Sequence, residues 1–257
     1  MLPDPSARPT GPIIEICVEG LDGVLAAEQG GADRAELCAS LAEGGITPSL
    51  GTVKEALLRA TIPFFVIVRP RGGDFLYSDT EFATMLADVD ALRDVGAAGV
   101  VVGCLAADGA VDEARMRRLV DRARPMRVTC HRAFDMTVDP RAALEALIRC
   151  GVDRVLTSGQ VPAAIDGLKL LRALVEQAGE RIIVMACGRL GPDSIAAVRR
   201  ETQAREMHFS APRRGPSAMR YRNETVAMGA MGLEREFISI TTDPDLVRAT
   251  IAAARAA

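Results

Sequence analysis

Short apolar runs alternate along the chain with longer segments whose apolar residues recur at helical spacing. In one such segment, Phe82, Met85, Val89 and Leu92 fall on one face of a helix. Short apolar runs between such helices are typical of the buried strands of a parallel sheet. The predicted strands are, in chain order, Ile13–Val18, Arg34–Cys38, Phe64–Val68, Gly99–Gly103, Met126–His131, Asp153–Thr157, Arg181–Met185 and Arg205–Phe209.

Eight strand–helix units in a chain of 257 residues predict an α/β fold, a single (β/α)8 or TIM barrel. The alternative fold is an open, doubly wound parallel sheet. After the eighth strand we expect a long irregular loop, Ala211–Thr241, that folds over one face. A last helix is predicted over Asp243–Arg255, with Asp243 as its cap and Pro244 in its first turn.

A weak internal repeat supports the barrel. Gly31, Gly96 and Gly151 each precede an even-numbered strand, at a point where a helix must end. Glycine tolerates the left-handed conformation that is common there. The repeat has two interpretations. The units descend from a common ancestor, or each helix end simply requires the same backbone geometry.

The composition of the chain predicts its division into a tail and one domain, and its location in the cell. Residues 1–12 contain four prolines and no apolar stretch, so we expect a disordered N-terminal tail and a barrel domain over residues 13–257. No run of 18 uncharged apolar residues occurs, so neither a membrane span nor a membrane partner is expected. We therefore expect a cytoplasmic protein. A net charge of -3 and a pI of about 5.6 weigh against a nucleic-acid partner.

The cysteines and histidines exclude several kinds of metal site. The six cysteines form no CxxC pair, which weighs against a zinc finger or a thioredoxin motif. A reducing compartment also disfavours a disulfide framework. The two histidines are too few for a catalytic zinc site with three histidine ligands.

Strand alternation places several polar side chains inside the barrel. Glu15 and Cys17 oppose Ile14 and Ile16 in the first strand, and the same parity holds in the other strands. Catalytic groups in this fold lie at the carboxyl ends of strands. The alternative is a structural ion network inside the barrel. The candidate catalytic residues are Glu15, Glu36, His131 and His208.

Two arginines predict an anion site. Arg69 and Arg71 lie beside a Gly-Gly turn and present donors with no fixed counter-charge. The alternative is a loop held by an Arg–Asp pair, and His131 is equally well explained as a structural histidine. Loops after the seventh and eighth strands often bind phosphate in this fold. We expect a sulfate, phosphate or carboxylate at the barrel mouth. The candidate anion-binding residues are Arg69, Arg71, Asp74, His131, Ser158, Gly188 and Ser210.

Cys17 and Cys38 predict a metal site. They end adjacent parallel strands and share the interior parity. Because neighbouring strands lie ~4.8 Å apart, we expect the two sulfurs within about 4–5 Å of each other, where they can share a soft ion such as Cu(I). The alternative is a pair of unconnected buried thiols.

Several segments together resemble the CutC family, whose members are named as copper homeostasis proteins. The resemblance implies a cytoplasmic TIM barrel that forms homo-oligomers and handles copper, with Cys17 and Cys38 as the Cu(I) ligands. The segments that carry it are Glu15–Cys17, Gly31–Cys38, Glu43–Ser49, Arg69–Ser78, His131–Asp135, Leu156–Gly159 and Met219–Asn223.

Two functions follow from this sequence. The first is a Cu(I)-binding protein of copper homeostasis, in which the thiol pair matters most. The second is an enzyme that acts on a small anionic metabolite, for example a phosphorylated one, at the carboxyl end of the barrel. In that case Arg69, Arg71, His131 and Glu15 matter most.

Overall fold

A computed structural model describes residues 11–228 and 232–257 of the chain. Each of the first seven strands pairs in parallel with the next, and the eighth pairs with the first, so the sheet closes. This closure confirms the predicted (β/α)8 barrel and excludes the open sheet. The barrel strands are β1 Ile13–Glu19, β2 Arg34–Cys38, β3 Phe64–Ile67, β4 Gly99–Val102, β5 Arg127–Cys130, β6 Arg154–Thr157, β7 Ile183–Cys187 and β8 Glu206–Phe209.

A helix follows each of the first seven barrel strands and covers the outside of the barrel. The helices between strands are α1 Gly20–Gln29, α2 Leu50–Arg59, α3 Asp79–Asp94, α4 Glu113–Ala123, α5 Pro140–Arg149, α6 Leu168–Ala178 and α7 Ile195–Thr202. Short 3₁₀ turns, Leu41–Glu43, Arg132–Met136 and Ala164–Asp166, lie in the loops at the carboxyl ends of β2, β5 and β6. The loops that carry the candidate residues thus converge at one end of the barrel.

Local sequence explains where several helices begin and end. Ser78 and Glu81 form a reciprocal capping box at the start of α3. The repeated glycines, Gly31, Gly96 and Gly151, have φ of 88°, 84° and 75°, which is the left-handed conformation predicted for them.

The seventh strand begins two residues later than predicted. The predicted range was Arg181–Met185, but the Arg181 amide donates to the carbonyl of Ala178 and so still belongs to the end of α6. Pairing with the neighbouring strand begins at Ile183. A shift of two residues preserves the strand parity, but it moves Cys187 from the following loop into the strand.

The prediction of an irregular segment after β8 is wrong in part. Strands β9, Pro212–Pro216, and β10, Ile238–Thr242, pair as an antiparallel ribbon. The short helix α8, Leu233–Glu236, precedes β10, and α9, Pro244–Arg255, follows it. The α9 helix and its Asp243 cap confirm the prediction for the last helix. The tail predicted over residues 1–12 lies almost entirely outside the described residues.

The two faces of the barrel sheet bury different chemistry. Ile14, Ile16 and Val18 of β1 belong to the large apolar core between the sheet and its helices. The opposite face lines the interior, where Glu15 is equally inaccessible to solvent. Buried carboxylates require partners, so this face is where a functional or ionic cluster is expected. None of the described helices combines the length and the apolar character that crossing a bilayer requires.

Candidate functional site

Cys17 and Cys38 lie side by side at the carboxyl ends of β1 and β2. Their Sγ atoms are 3.9 Å apart, and both thiols are free. The Glu36 carboxylate joins them, so that one ligand atom from each of the three residues lies within 4.8 Å of the others. We call these three residues the thiol–carboxylate cluster. Cys38 is buried and Cys17 is half-buried, so the cluster has an accessible side at Cys17.

The loop after β2 packs closely on the cluster. Gly45 has a φ of 88°, and a Cβ atom there would lie 3.2 Å from the Cys38 sulfur and 3.3 Å from Ile67 Cδ1. Ala39 and Ile46 hold the loop against itself through paired backbone hydrogen bonds. A side chain at residue 45 would therefore crowd the thiol, which explains why glycine is needed there.

His208 connects the cluster to a second carboxylate. Its Nδ1 lies 2.8 Å from a Glu15 oxygen, and its Nε2 lies 3.6 Å from a Glu36 oxygen. Burial opposes the charged ring, but hydrogen bonds to Cys17 and Glu15, together with the charge of Glu15, raise the pKa of His208 to about 10. His208 is therefore an imidazolium at neutral pH, and it places a buried positive charge beside the thiols.

The two thiols differ in their ionisation. The hydrogen bond from Cys38 lowers the pKa of Cys17 to about 5, against the effect of burial, and His208 contributes in the same direction. The same hydrogen bond, together with burial, raises the pKa of Cys38. Burial and the nearby Cys17 charge raise the pKa of Glu36 well above its usual range. The pair thus holds one thiolate and one thiol, which is a soft, anionic donor set.

Below the cluster, the barrel interior contains an ion network. Arg34 bonds to Glu15, and its Nη2 lies 2.6 Å from a Glu206 oxygen. Arg154 Nε lies 3.1 Å from the same oxygen. Both guanidinium groups lie over the Phe65 ring. The sequence left two interpretations of Glu15, a catalytic group or a member of a structural ion network. The structure fits both, because Glu15 pairs with Arg34 in the ion network and with His208 beside the thiols.

The sequence analysis did not select Arg34, Arg154 and Glu206, although their positions in the strands indicate that they face the interior. Arg34 and Arg154 begin their strands, and Glu206 lies two residues before His208. By the period of two, each has the interior parity that singled out Glu36 and His208. Their position at the strand starts, away from the carboxyl ends that carry catalytic groups in this fold, kept them off the list of candidates.

Arg71 is engaged in its own loop. Its Nε lies 2.6 Å from Glu81 and its Nη2 lies 3.0 Å from Asp74, and both contacts are ion pairs. The expectation that these arginines lack a fixed counter-charge is therefore wrong for Arg71. Asp74 accepts a hydrogen bond from Arg71, so the loop is held by an Arg–Asp pair, which was the alternative interpretation of the sequence. Asp74 also accepts the backbone amide of Leu76.

Arg69 and His131 both lie against the ring of Phe75. The Arg69 guanidinium lies 5.0 Å from the centroid of Phe75, and the His131 ring lies 4.9 Å from the same centroid. Arg69 donates to the carbonyls of Glu43, Gly45 and Gly73. It thereby ties the loop after β2 to the loop after β3.

His131 starts the 3₁₀ turn after β5. Its Nδ1 accepts the amide of Ala133 at 3.1 Å. A Cβ atom at Gly103 would lie 2.5 Å from the imidazole, so the glycine makes room for the ring. Burial, and next the charge of Arg69, lowers the pKa of His131 to about 3. His131 is therefore neutral at physiological pH, with its proton on Nε2.

His131 is expected to contribute a loss of stability between neutral and moderately acidic pH, which comparison with a variant separates from the opposite contribution of His208. The unfolded imidazole binds a proton below about pH 6.5, whereas the folded one binds it only near pH 3, so acid favours the unfolded chain. Between about pH 7.5 and about pH 5, the His131 imidazole should lower the free energy of unfolding of the parent protein by ~2 kcal/mol. In His131→Asn, whose amide oxygen can accept the Ala133 amide, that part of the loss should disappear. Urea unfolding of both proteins at both pH values measures it, and equal losses would contradict the assignment.

The remaining candidates lie in the loops after β6, β7 and β8. The Ser158 amide and hydroxyl both donate to Asp135, at 3.1 and 3.0 Å. A Cβ atom at Gly188 would lie 2.7 Å from Ser158 Cβ, so the two loops are in contact. Ser210 is exposed after β8. The structure therefore brings Ser158 and Gly188 together, around an Asp135 that the sequence did not single out.

Comparison with known proteins places the chain in one family. The CutC family model matches residues 12–213. A CutC family protein of Mesorhizobium japonicum is 65% identical over 245 residues, which are 95% of each chain. The copper homeostasis protein cutC homolog of Homo sapiens is 44% identical and covers 95% of this chain and 90% of its own.

Solved structures agree with this placement. The CutC protein of Streptococcus agalactiae superposes with a TM-score of 0.73 at 30% identity, over 77% of this chain and 98% of its own. Phosphoribosyl anthranilate isomerase of Thermococcus kodakaraensis has a TM-score of 0.55 at 18% identity, over 96% of this chain and all of its own, and so shares the fold alone. By its sequence, the chain belongs to the CutC family.

Proposed function

We propose that this protein binds Cu(I) through Cys17 and Cys38 and takes part in copper homeostasis in the cytoplasm. The observation that carries the proposal is the 3.9 Å separation of the two sulfurs at one accessible edge of the barrel. Soft thiolate ligands select Cu(I), and a reducing compartment keeps both thiols available. The name of the human relative, a copper homeostasis protein, supports the same role.

The donor set suits Cu(I) better than zinc. Zinc in structural sites takes four ligands in tetrahedral geometry. The cluster offers two sulfurs and one carboxylate, and the pKa of that carboxyl is raised by burial and by the charge of Cys17. A carboxyl that favours its protonated form is a poor ligand. The two thiols alone complete a low-coordinate Cu(I) site, and only Cys38 has to lose a proton at neutral pH.

Titration of the reduced, metal-free protein with Cu(I), in competition with a Cu(I) chelator and without oxygen, tests the proposal. We expect saturation at one Cu(I) per chain and sulfur neighbours of the metal in X-ray absorption spectra. Zn²⁺ in a parallel titration should be held more weakly. Complete transfer of copper to the chelator, or bound copper without sulfur neighbours, would contradict the proposal.

The second candidate function is catalysis on a small anionic metabolite, for example a phosphorylated one. The observation in its favour is His208, which lies between the carboxylates of Glu15 and Glu36 and beside the half-buried Cys17. An acid–base histidine next to an ionised thiol is an arrangement that supports covalent catalysis. The test is turnover of phosphorylated and carboxylated metabolites by metal-free protein. This function requires that His208→Gln abolish any turnover that is found.

We also propose a homo-oligomer, as the family resemblance implies. Large apolar side chains are exposed in the segment between β8 and α9, where a second copy is the proposed cover. We expect size-exclusion chromatography with light scattering to give a multiple of the 27.3 kDa chain mass. A monomer at micromolar concentration would contradict this proposal. The exposed side chains are Met219, Tyr221, Val226, Met228, Leu233, Ile238 and Ile240.

A further inference from the structure

The hydrogen bonds of Arg69 leave part of its guanidinium free. An arginine has five N–H donors. Nη1 donates to the carbonyls of Glu43 and Gly45, at 2.7 and 3.0 Å, and Nη2 donates to that of Gly73 at 2.7 Å. Nε is buried and has no partner among the described residues. One hydrogen on Nε and one on Nη2 therefore remain, and these two nitrogens form one edge of the group.

The charge of Arg69 is also uncompensated. Its side chain is buried, with the residue only 5% exposed, yet no carboxylate in the described part of the chain lies within ion-pair distance. Its guanidinium donates to neutral carbonyls and lies over the face of Phe75, with the uncharged Tyr77 hydroxyl nearby. Arg71, two residues later and more exposed, has two carboxylate partners. Buried charges are ordinarily paired, so the missing partner of Arg69 indicates an anion from outside the chain.

Two neighbouring side chains add donors without partners. His131 is 4% exposed, and because its Nδ1 accepts the Ala133 amide, its proton lies on Nε2, which has no described partner. The Tyr77 hydroxyl is likewise buried without a partner at hydrogen-bond distance. Burial raises the pKa of Tyr77 to about 12, and the nearby Arg69 opposes this rise through its charge and as a donor to the hydroxyl. Unpartnered buried polar groups usually mark a bound water, ion or ligand. Here the ligand must accept hydrogen bonds.

We propose that the Nε–Nη2 edge of Arg69, with Nε2 of His131, binds a small organic carboxylate at a site separate from the thiol pair. The planar fork of an arginine edge matches the two oxygens of a carboxylate. The charge also fits, because His131 is neutral and Arg69 supplies one positive charge for one negative charge. A phosphate monoester carries nearly two negative charges at neutral pH and would leave one unbalanced.

This site does not depend on the copper proposal. The test is a titration of the folded, ¹⁵N-labelled protein with acetate, benzoate and inorganic phosphate, followed through the Nε–H signal of Arg69 and by calorimetry. We expect saturable binding of a carboxylate that shifts this signal. Arg69→Ala should weaken binding about 10- to 150-fold, and His131→Asn about 10-fold, as expected for charge-assisted hydrogen bonds.

Two control variants make the outcome specific. Arg71→Gln changes a neighbouring arginine whose charge is already paired, and it should leave carboxylate affinity unchanged. Cys17→Ser with Cys38→Ser should also leave it unchanged, which separates this site from the copper site. If Arg69→Ala does not fold, His131→Asn decides the question. The proposal is overturned if the parent shows no saturable carboxylate binding, if phosphate binds more tightly, or if His131→Asn binds as the parent does.

Discussion

Replacement of both Cys17 and Cys38 with serine is expected to abolish stoichiometric Cu(I) binding. The sulfurs lie 3.9 Å apart, and no other sulfur belongs to the metal-ligating cluster found among the described residues. Serine keeps the size of the side chain but replaces a soft thiolate with a hard hydroxyl, which is a poor ligand for Cu(I). Chelator competition with X-ray absorption measures the loss. The single variant Cys17→Ser should bind far more weakly than the parent, because one thiol remains.

Cys104→Ser and Cys150→Ser are the matched controls. Both thiols are buried, as Cys38 is, and burial raises the pKa of each, so neither provides a thiolate as Cys17 does. Each control should bind one Cu(I) as the parent does. Circular dichroism should show the native fold in every variant. Undiminished copper binding in the Cys17 and Cys38 double variant would remove the assignment of the site.

Of the proposed substitutions, Glu206→Gln is expected to lower the free energy of unfolding the most. Glu206 receives Arg34 at 2.6 Å and Arg154 at 3.1 Å, and all three side chains are buried. Removal of one partner from a buried ion pair leaves an uncompensated charge and typically costs about 3–5 kcal/mol. Here two guanidinium groups lose their shared carboxylate, although Arg34 retains Glu15. Urea unfolding at pH 7 should show the loss, followed by far-ultraviolet circular dichroism because the chain has no tryptophan.

Glu176→Gln is the control for this loss. It breaks an ion pair with Arg172 on the exposed face of α6, where solvent screens the charges. Such pairs contribute less than about 1 kcal/mol. A loss in Glu206→Gln no larger than that of the control would show that the buried network contributes little. The interior polar residues would then have to be explained by function alone.

The alternation of residues within single strands was enough to predict much of the candidate site. The period of two assigned Glu15, Cys17, Glu36 and Cys38 to the barrel interior, and the order of the strands made the two cysteines neighbours. Both inferences need only the sequence of each strand and the rule that consecutive parallel strands pair. The irregular segment after β8 could not be resolved in this way. The partner of β9 lies more than 20 residues further along the chain, and β9 itself contains two prolines and a glycine, which are rare in strands.

The sequence by itself determined the closed barrel, the interior parity and the adjacency of the thiols, because these follow from hydrophobic periodicity along single elements. The tertiary structure alone decided which charges are neutralised. Arg34 meets Glu206 across 172 residues because the sheet closes, and Arg71 turns to Glu81, while Arg69 is left without a carboxylate among the described residues. An ion pair depends on distances of a few ångströms between remote segments. Such distances are set by strand stagger and loop packing, which no local pattern records.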